Sequence, residues 1–112
     1  MASTFSIELS MREAPAEAQA RAATALTEPA RRVGLRLTTR GAGELGYKPR
    51  IGWPLLVTLW HSLSGEHMTV KFEPGAEGGT RVAISGKVAG GNHGLAADPE
   101  HWSEALGAAT AV

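Results

Sequence analysis

Hydrophobic and polar residues alternate with a period of two in two neighbouring stretches between Glu66 and Val88. This period is typical of strands that bury one face. The inward positions are Met68, Val70, Phe72, Val82, Ile84 and Val88. A turn-forming sequence, Pro-Gly-Ala-Glu-Gly-Gly at 74–79, separates the two stretches. The pattern therefore predicts a β-hairpin, around which the rest of the chain is arranged.

Three further stretches with alternating positions predict strands. They lie near residues 4–11, 32–40 and 44–48. In the second of these, the alternation puts Leu35 and Leu37 on the buried face and Arg36 and Arg40 on the outer face. Pro49 ends the third strand or marks an edge of the sheet, because proline cannot donate to a strand ladder.

Two helices are predicted, each with a proline at its first position, where the missing N–H costs nothing. The first, Pro15–Glu28, is rich in good helix formers and is expected to end at Pro29. The second, Pro99–Leu106, is short and needs to dock on the body of the protein to persist. We expect a loop at 89–94 and frayed residues at 108–112.

The segment Ile51–Leu63 is the most apolar part of the chain and has two interpretations. Helical spacing on one face is favoured for Leu55, Leu56, Leu59, Trp60 and Leu63. A buried strand is the alternative, since Leu55, Val57 and Leu59 also alternate. The segment is shorter than the roughly 17–25 apolar residues of a membrane span, so no span is predicted.

Length and composition narrow the class of protein. The 112 residues predict one domain, 1–112, and the 11 basic and 11 acidic side chains cancel. Zero net charge gives no field that favours nucleic acid, so no nucleic-acid partner is predicted. The absence of cysteine excludes disulfides and thiol catalysis and fits a cytoplasmic protein. The N-terminus lacks the pattern of a signal peptide, and we expect a soluble protein.

These elements predict an α+β fold, an antiparallel sheet of about five strands with helices on one face, in the order β-α-β-β-(α)-β-β-α. This order resembles the START/birch-pollen-allergen-like superfamily, which includes polyketide-cyclase-like proteins. The passage Phe72-Glu73-Pro74, followed by a Gly-rich turn and Gly79-Thr80-Arg81-Val82, carries the resemblance. It implies a helix-grip fold, in which a helix lies across the sheet. The short C-terminal helix departs from the family, and a layout similar to TATA-binding protein is the alternative.

A basic stretch is the clearest charge feature. It comprises Arg32, Arg36, Arg40, Lys48 and Arg50. An acidic partner or a phosphate is one interpretation, but a solvated sheet face is the simpler one at zero net charge. Only Tyr47 is close enough in sequence to stack on a base, so RNA binding on the sheet is not predicted.

No catalytic or metal site is predicted. The four histidines, at positions 61, 67, 93 and 101, lack the spacing of a metal motif and are interpreted as surface or capping residues. No Gly-x-Ser-x-Gly elbow is present. We expect no cofactor.

Three functions remain open. The first, which rests on the resemblance and on the aromatic residues, is a non-enzymatic binding module for a small apolar ligand. Its predicted binding residues are Trp53, Leu56, Trp60, Phe72 and Trp102. The second is an interaction module that dimerises through the apolar face at 51–63. The third, a cyclase- or hydrolase-like enzyme, would use His61 or His67 as its base.

Overall fold

The computed structural model describes residues 2–49, 65–89 and 92–110. Their antiparallel sheet has five long strands and a short sixth, in the spatial order β2-β3-β4-β5-β1-β6. The strands are β1 Ala2–Met11, β2 Leu35–Gly41, β3 Glu44–Pro49, β4 His67–Pro74, β5 Thr80–Ala89 and β6 Ala109–Thr110. The helices are α1 Pro15–Ala25, α2 Thr27–Arg32, α3 Asn92–Ala96 and α4 Pro99–Leu106. The predicted α+β class is confirmed, whereas the predicted helix or strand at 51–63 lies outside the described residues.

The central hairpin formed by β4 and β5 is confirmed. All its predicted inward side chains are buried, and Val70 lies opposite Ile84 in the antiparallel register. Gly86 interrupts the inward row because no side chain fits there. A Cβ atom at this position would lie 2.3 Å from the backbone oxygen of His67, well inside van der Waals contact. The glycine thus allows β4 and β5 to approach closely at this point.

The helical region after β1 is divided in two, so the prediction of a single helix ending at Pro29 is wrong. α1 ends at Ala25, and Leu26 keeps helical dihedral angles while α2 begins at Thr27. Pro29 lies in the first turn of α2, where its missing N–H has no partner to lose. The backbone N–H of Ala30 donates to the oxygen of Leu26 at 2.9 Å and so joins the two helices.

Strand β2 begins later than predicted and contains an irregularity that changes its faces. A register shift lies between Leu37, opposite Tyr47, and Thr39, opposite Gly46. Such a bulge reverses the alternation of side chains beyond it. Arg40 therefore lies opposite the buried Leu45, on the helix-covered face. The prediction that Arg36 and Arg40 share the outer face is wrong.

The C-terminal region has more structure than predicted. Helix α3 forms within the predicted loop, and Ala109 and Thr110 pair with β1 instead of fraying, so both expectations are wrong there. Helix α4 is confirmed: the Asp98 side chain accepts a hydrogen bond from the backbone N–H of Glu100 at 3.1 Å. Gly107 ends this helix in the left-handed conformation, with a φ of 61°.

One core joins the helices to the covered face of the sheet. Helix α1 contributes small side chains, Ala18, Ala22 and Ala23, which let it lie close to the sheet. The largest buried side chains are Trp102 and Tyr47. Among the described residues, no helix is long and apolar enough to cross a membrane.

Candidate functional site

A cleft of about 390 Å³ lies where α1 and α2 meet the edge strand β2. Its wall is partly apolar and partly cationic. The lining residues are Ala23, Thr27, Arg31, Leu35, Arg36, Leu37 and Arg40. Because β2 is the outermost strand, the cleft opens at the side of the sheet, away from the packed centre of the core. Arginine residues beside an apolar wall suit a ligand that is both apolar and anionic.

The three arginines of the cleft differ in how they are held. Arg31 lies in the last turn of α2 and donates from Nε to Oε2 of Glu28 at 3.0 Å. This hydrogen bond, with the charge of Glu28, raises the pKa of Arg31 above its ordinary value. Within the described part of the chain, no carboxylate forms an ion pair with Arg36 or Arg40. Arg40, on the covered face, is available to an anion bound in the cleft, whereas the Arg36 side chain lies on the open face, opposite Lys48.

Tyr47 adds a buried polar group beside this cleft. Its side chain is 2 % exposed and lies opposite Leu37 on the covered face. Its hydroxyl finds no hydrogen-bond partner among the described residues. Burial raises the pKa of Tyr47 to about 12, and the nearby charge of Arg40 acts in the opposite direction. The phenol is therefore neutral at physiological pH and retains a proton that it can donate.

Two of the residues predicted to bind ligand can be located, and both belong to the core. Phe72 is buried on β4, and Trp102 of α4 is fully buried. The indole Nε1–H of Trp102 donates to the oxygen of Ala96 at 2.7 Å. Neither residue lines the cleft at β2. Their role in ligand binding stays a prediction, and the other three residues, Trp53, Leu56 and Trp60, lie outside the described residues.

The three described histidines each contact a backbone oxygen. His67 Nδ1 lies 2.8 Å from the oxygen of Gly65, His93 Nε2 lies 3.1 Å from that of Thr4, and His101 Nε2 lies 3.0 Å from that of Pro29. Because a carbonyl oxygen only accepts, the bonded nitrogen carries the proton in each case. No group of histidine and acidic residues suited to a metal ion occurs in the ranges 2–49, 65–89 and 92–110.

Comparison with protein-family models, with curated proteins and with solved structures finds no match. The resemblance to the START-like superfamily therefore stays a prediction, and the site must be interpreted from its own chemistry. Sequence reasoning missed the cleft because Arg40 reaches it only through the bulge in β2. Tyr47 stood out only as an aromatic residue near basic neighbours, and nothing local signals that its hydroxyl is buried without a partner in the described part of the chain.

Proposed function

We propose that this protein is a non-enzymatic binding module for a small apolar molecule that carries one anionic group. The cleft between α1, α2 and β2 is the binding site. The observation that carries the proposal is the combination of an apolar wall with Arg40, which forms no ion pair within the described residues. The proposal differs from the sequence prediction in two respects. The ligand carries an anionic group as well as an apolar part, and its binding site lies at β2 instead of at the predicted tryptophans.

The charge of the ligand follows from the donors present. A guanidinium group has only donors, and its planar shape suits a carboxylate or a similar oxyanion. Arg40 lies at the covered face beside Leu37, so its charge is close to the apolar wall. A ligand whose apolar part lies against Leu35 and Leu37 can thus present its anionic group to Arg40. Charge-assisted hydrogen bonds of this kind are stronger than neutral ones.

Tyr47 supplies the second contribution to recognition. A buried hydroxyl without a partner costs about 1–3 kcal/mol of stability. The protein tolerates this cost beside the cleft, where an oxyanion is expected. We propose that the half-buried side chain of Leu37, which lies opposite Tyr47, shifts on binding and opens the hydroxyl to that oxyanion. In the bound state the hydroxyl then donates to the ligand, and the cost is recovered.

The two other functions stay predictions. The face proposed for dimerisation, 51–63, and the candidate base His61 lie outside the described residues. His67, the second candidate base, lies on the open face of the sheet, and its Nδ1 is held by the oxygen of Gly65. No specific observation favours either function over ligand binding.

The test compares two probes that share an apolar chain, decanoate and decanol. Isothermal titration calorimetry on the full chain should show that decanoate binds at least tenfold more tightly. Arg40→Gln should remove most of that difference, because it removes the charge and keeps part of the side chain. Arg12→Gln is the matched control, since Arg12 is exposed and does not line the cleft. This control should bind decanoate as the wild type does.

Three results would overturn the proposal. They are equal affinities for the two probes, unchanged decanoate binding by Arg40→Gln, and absence of binding at millimolar concentrations. Thermal unfolding of both variants distinguishes loss of binding from loss of fold. We expect both variants to fold, because Arg12 and Arg40 are exposed.

A further inference from the structure

Three cationic side chains and one histidine stand side by side on the open face of the sheet, the face on which no helix of the described residues lies. Arg36 lies directly opposite Lys48, and His67 lies directly opposite Lys87. The register between β3 and β4, continued by one position, sets Lys48 opposite His67. We call Arg36, Lys48, His67 and Lys87 the basic row. It crosses four adjacent strands, and its first three members are exposed.

A second row of small residues runs parallel to the basic row, one position further along the open face of each strand. These residues, which we call the hydroxyl row, are Thr39, Gly46, Thr69, Ser85 and Ser6. With strands about 4.8 Å apart, a row across five strands spans about 19 Å. Short side chains beside long cationic ones form a narrow shelf that carries hydroxyl donors.

The other end of the open face has a different arrangement of charge, because its acids lie beside cations. Arg81 donates to Glu73 at 2.7 Å, and Glu44 lies directly opposite Lys71. In the basic row Arg36 lies opposite Lys48, and Lys87 lies opposite His67. Like charges opposite each other destabilise a sheet. The row is therefore a positive patch to which the register of the described strands gives no acidic cross-strand partner.

We propose that the basic row and the hydroxyl row bind the phosphodiester backbone of a single-stranded nucleic acid. The two non-bridging oxygens of each phosphate can accept one bond from a cation and one from a hydroxyl. Phosphate contacts of this kind give affinity without reading the sequence. The sequence analysis predicted no nucleic-acid partner because the net charge is zero. Net charge does not describe how charges cluster on a surface, and this patch arises from the register of the strands.

The open face favours a narrow polyanion over a flat anionic membrane. Glu8, Glu44 and Glu73 lie on the same face and would meet the headgroups of a bilayer, whereas a single strand along the rows avoids them. The shelf offers no apolar pocket for the side chains of an acidic peptide, because it consists of Ser, Thr and Gly. The open-face positions of the described strands carry no Phe, Tyr or Trp, so these strands offer no aromatic ring on which a base could stack.

The test measures fluorescence anisotropy of a labelled dT20 strand mixed with the full chain. About three phosphate contacts predict a salt slope near −2, which means roughly tenfold weaker binding between 50 and 150 mM salt. Lys48→Gln/Lys87→Gln should weaken binding at least tenfold and flatten this slope. Lys71→Gln/Arg81→Gln removes the same charge at the other end of the face. This control should bind within about twofold of the wild type.

The competing partners are outcomes of the same experiment. Tighter binding to vesicles of phosphatidylglycerol and phosphatidylcholine, or to polyglutamate, would overturn the proposal. Equal losses in the two double variants would also overturn it, because only net charge would then matter. A difference above tenfold between dT20 and dC20 would contradict binding through the backbone alone. Thermal unfolding of both double variants shows whether any loss reflects unfolding.

Discussion

The two faces of the sheet differ in the polarity of their side chains, and each has one feature that departs from the general pattern of its face. The helix-covered face is apolar, and its exception is the hydroxyl of Tyr47, which has no hydrogen-bond partner among the described residues. The open face is polar and places acids beside cations at one end, and its departure is the basic row at the other. Stability alone explains neither departure, since both lower it.

Both departures meet on β3, in two consecutive residues. Tyr47 points to the covered face and Lys48 to the open one, because side chains alternate along a strand. Sequence, packing and charge agree over most of the fold, and positions where they disagree are candidates for function. The comparison therefore directs attention to the end of β3, where the anion cleft and the basic row lie on opposite sides of the same strand.

The largest expected effect concerns the covered face. Trp102→Ala should destabilise the protein by about 4 kcal/mol, because it leaves a large cavity and removes a buried hydrogen bond. Urea unfolding followed by circular dichroism measures the change. Leu95→Ala is the control, since Leu95 is 38 % exposed and its truncation should cost less than about 0.5 kcal/mol. A loss below about 1 kcal/mol for Trp102→Ala would contradict its place in the packed core.

An intermediate effect on stability is expected from Tyr47, the polar group on the covered face. The pKa of Tyr47 is raised from 10.0 to about 12, so the unfolded chain releases this proton at lower pH than the folded one. Stability due to this group is complete below pH 10 and is lost as pH rises to about 12. The full difference is about 2–3 kcal/mol.

Tyr47→Phe isolates this effect from other alkaline titrations. The variant should be about 1 kcal/mol more stable than the wild type at pH 7, because an unsatisfied hydroxyl is gone. Its advantage should widen between pH 10 and 12 in urea unfolding measured at several pH values. It should also bind decanoate more weakly. A less stable variant at pH 7 would show that the hydroxyl has a partner.

The sequence predicts the regular parts of both faces and misses the departures for identifiable reasons. Period-two alternation is local, so the buried residues of β1, β4 and β5 follow from it directly. The bulge in β2 adds one residue without a Gly or Pro signal, and it moves Arg40 to the covered face. Pro29 was interpreted as a helix end, although proline is equally compatible with a first turn. The basic row depends on which strands pair and in which register, and no local pattern encodes that.

The smallest effect concerns the open face, where two charge-reversal variants should change stability in opposite directions. Lys87→Glu places an acid opposite His67, two strands from Lys48, and lowers the repulsion among the cations of the basic row, so it should stabilise the protein by a few tenths of a kcal/mol. Lys71→Glu makes the same change in net charge but lies opposite Glu44, and it should destabilise the protein by a similar amount. Thermal unfolding at 20 mM salt measures both, and 1 M salt should remove most of the difference. Shifts of the same sign would show that the two ends of the open face are electrostatically equivalent, and the uncompensated patch would then have no basis.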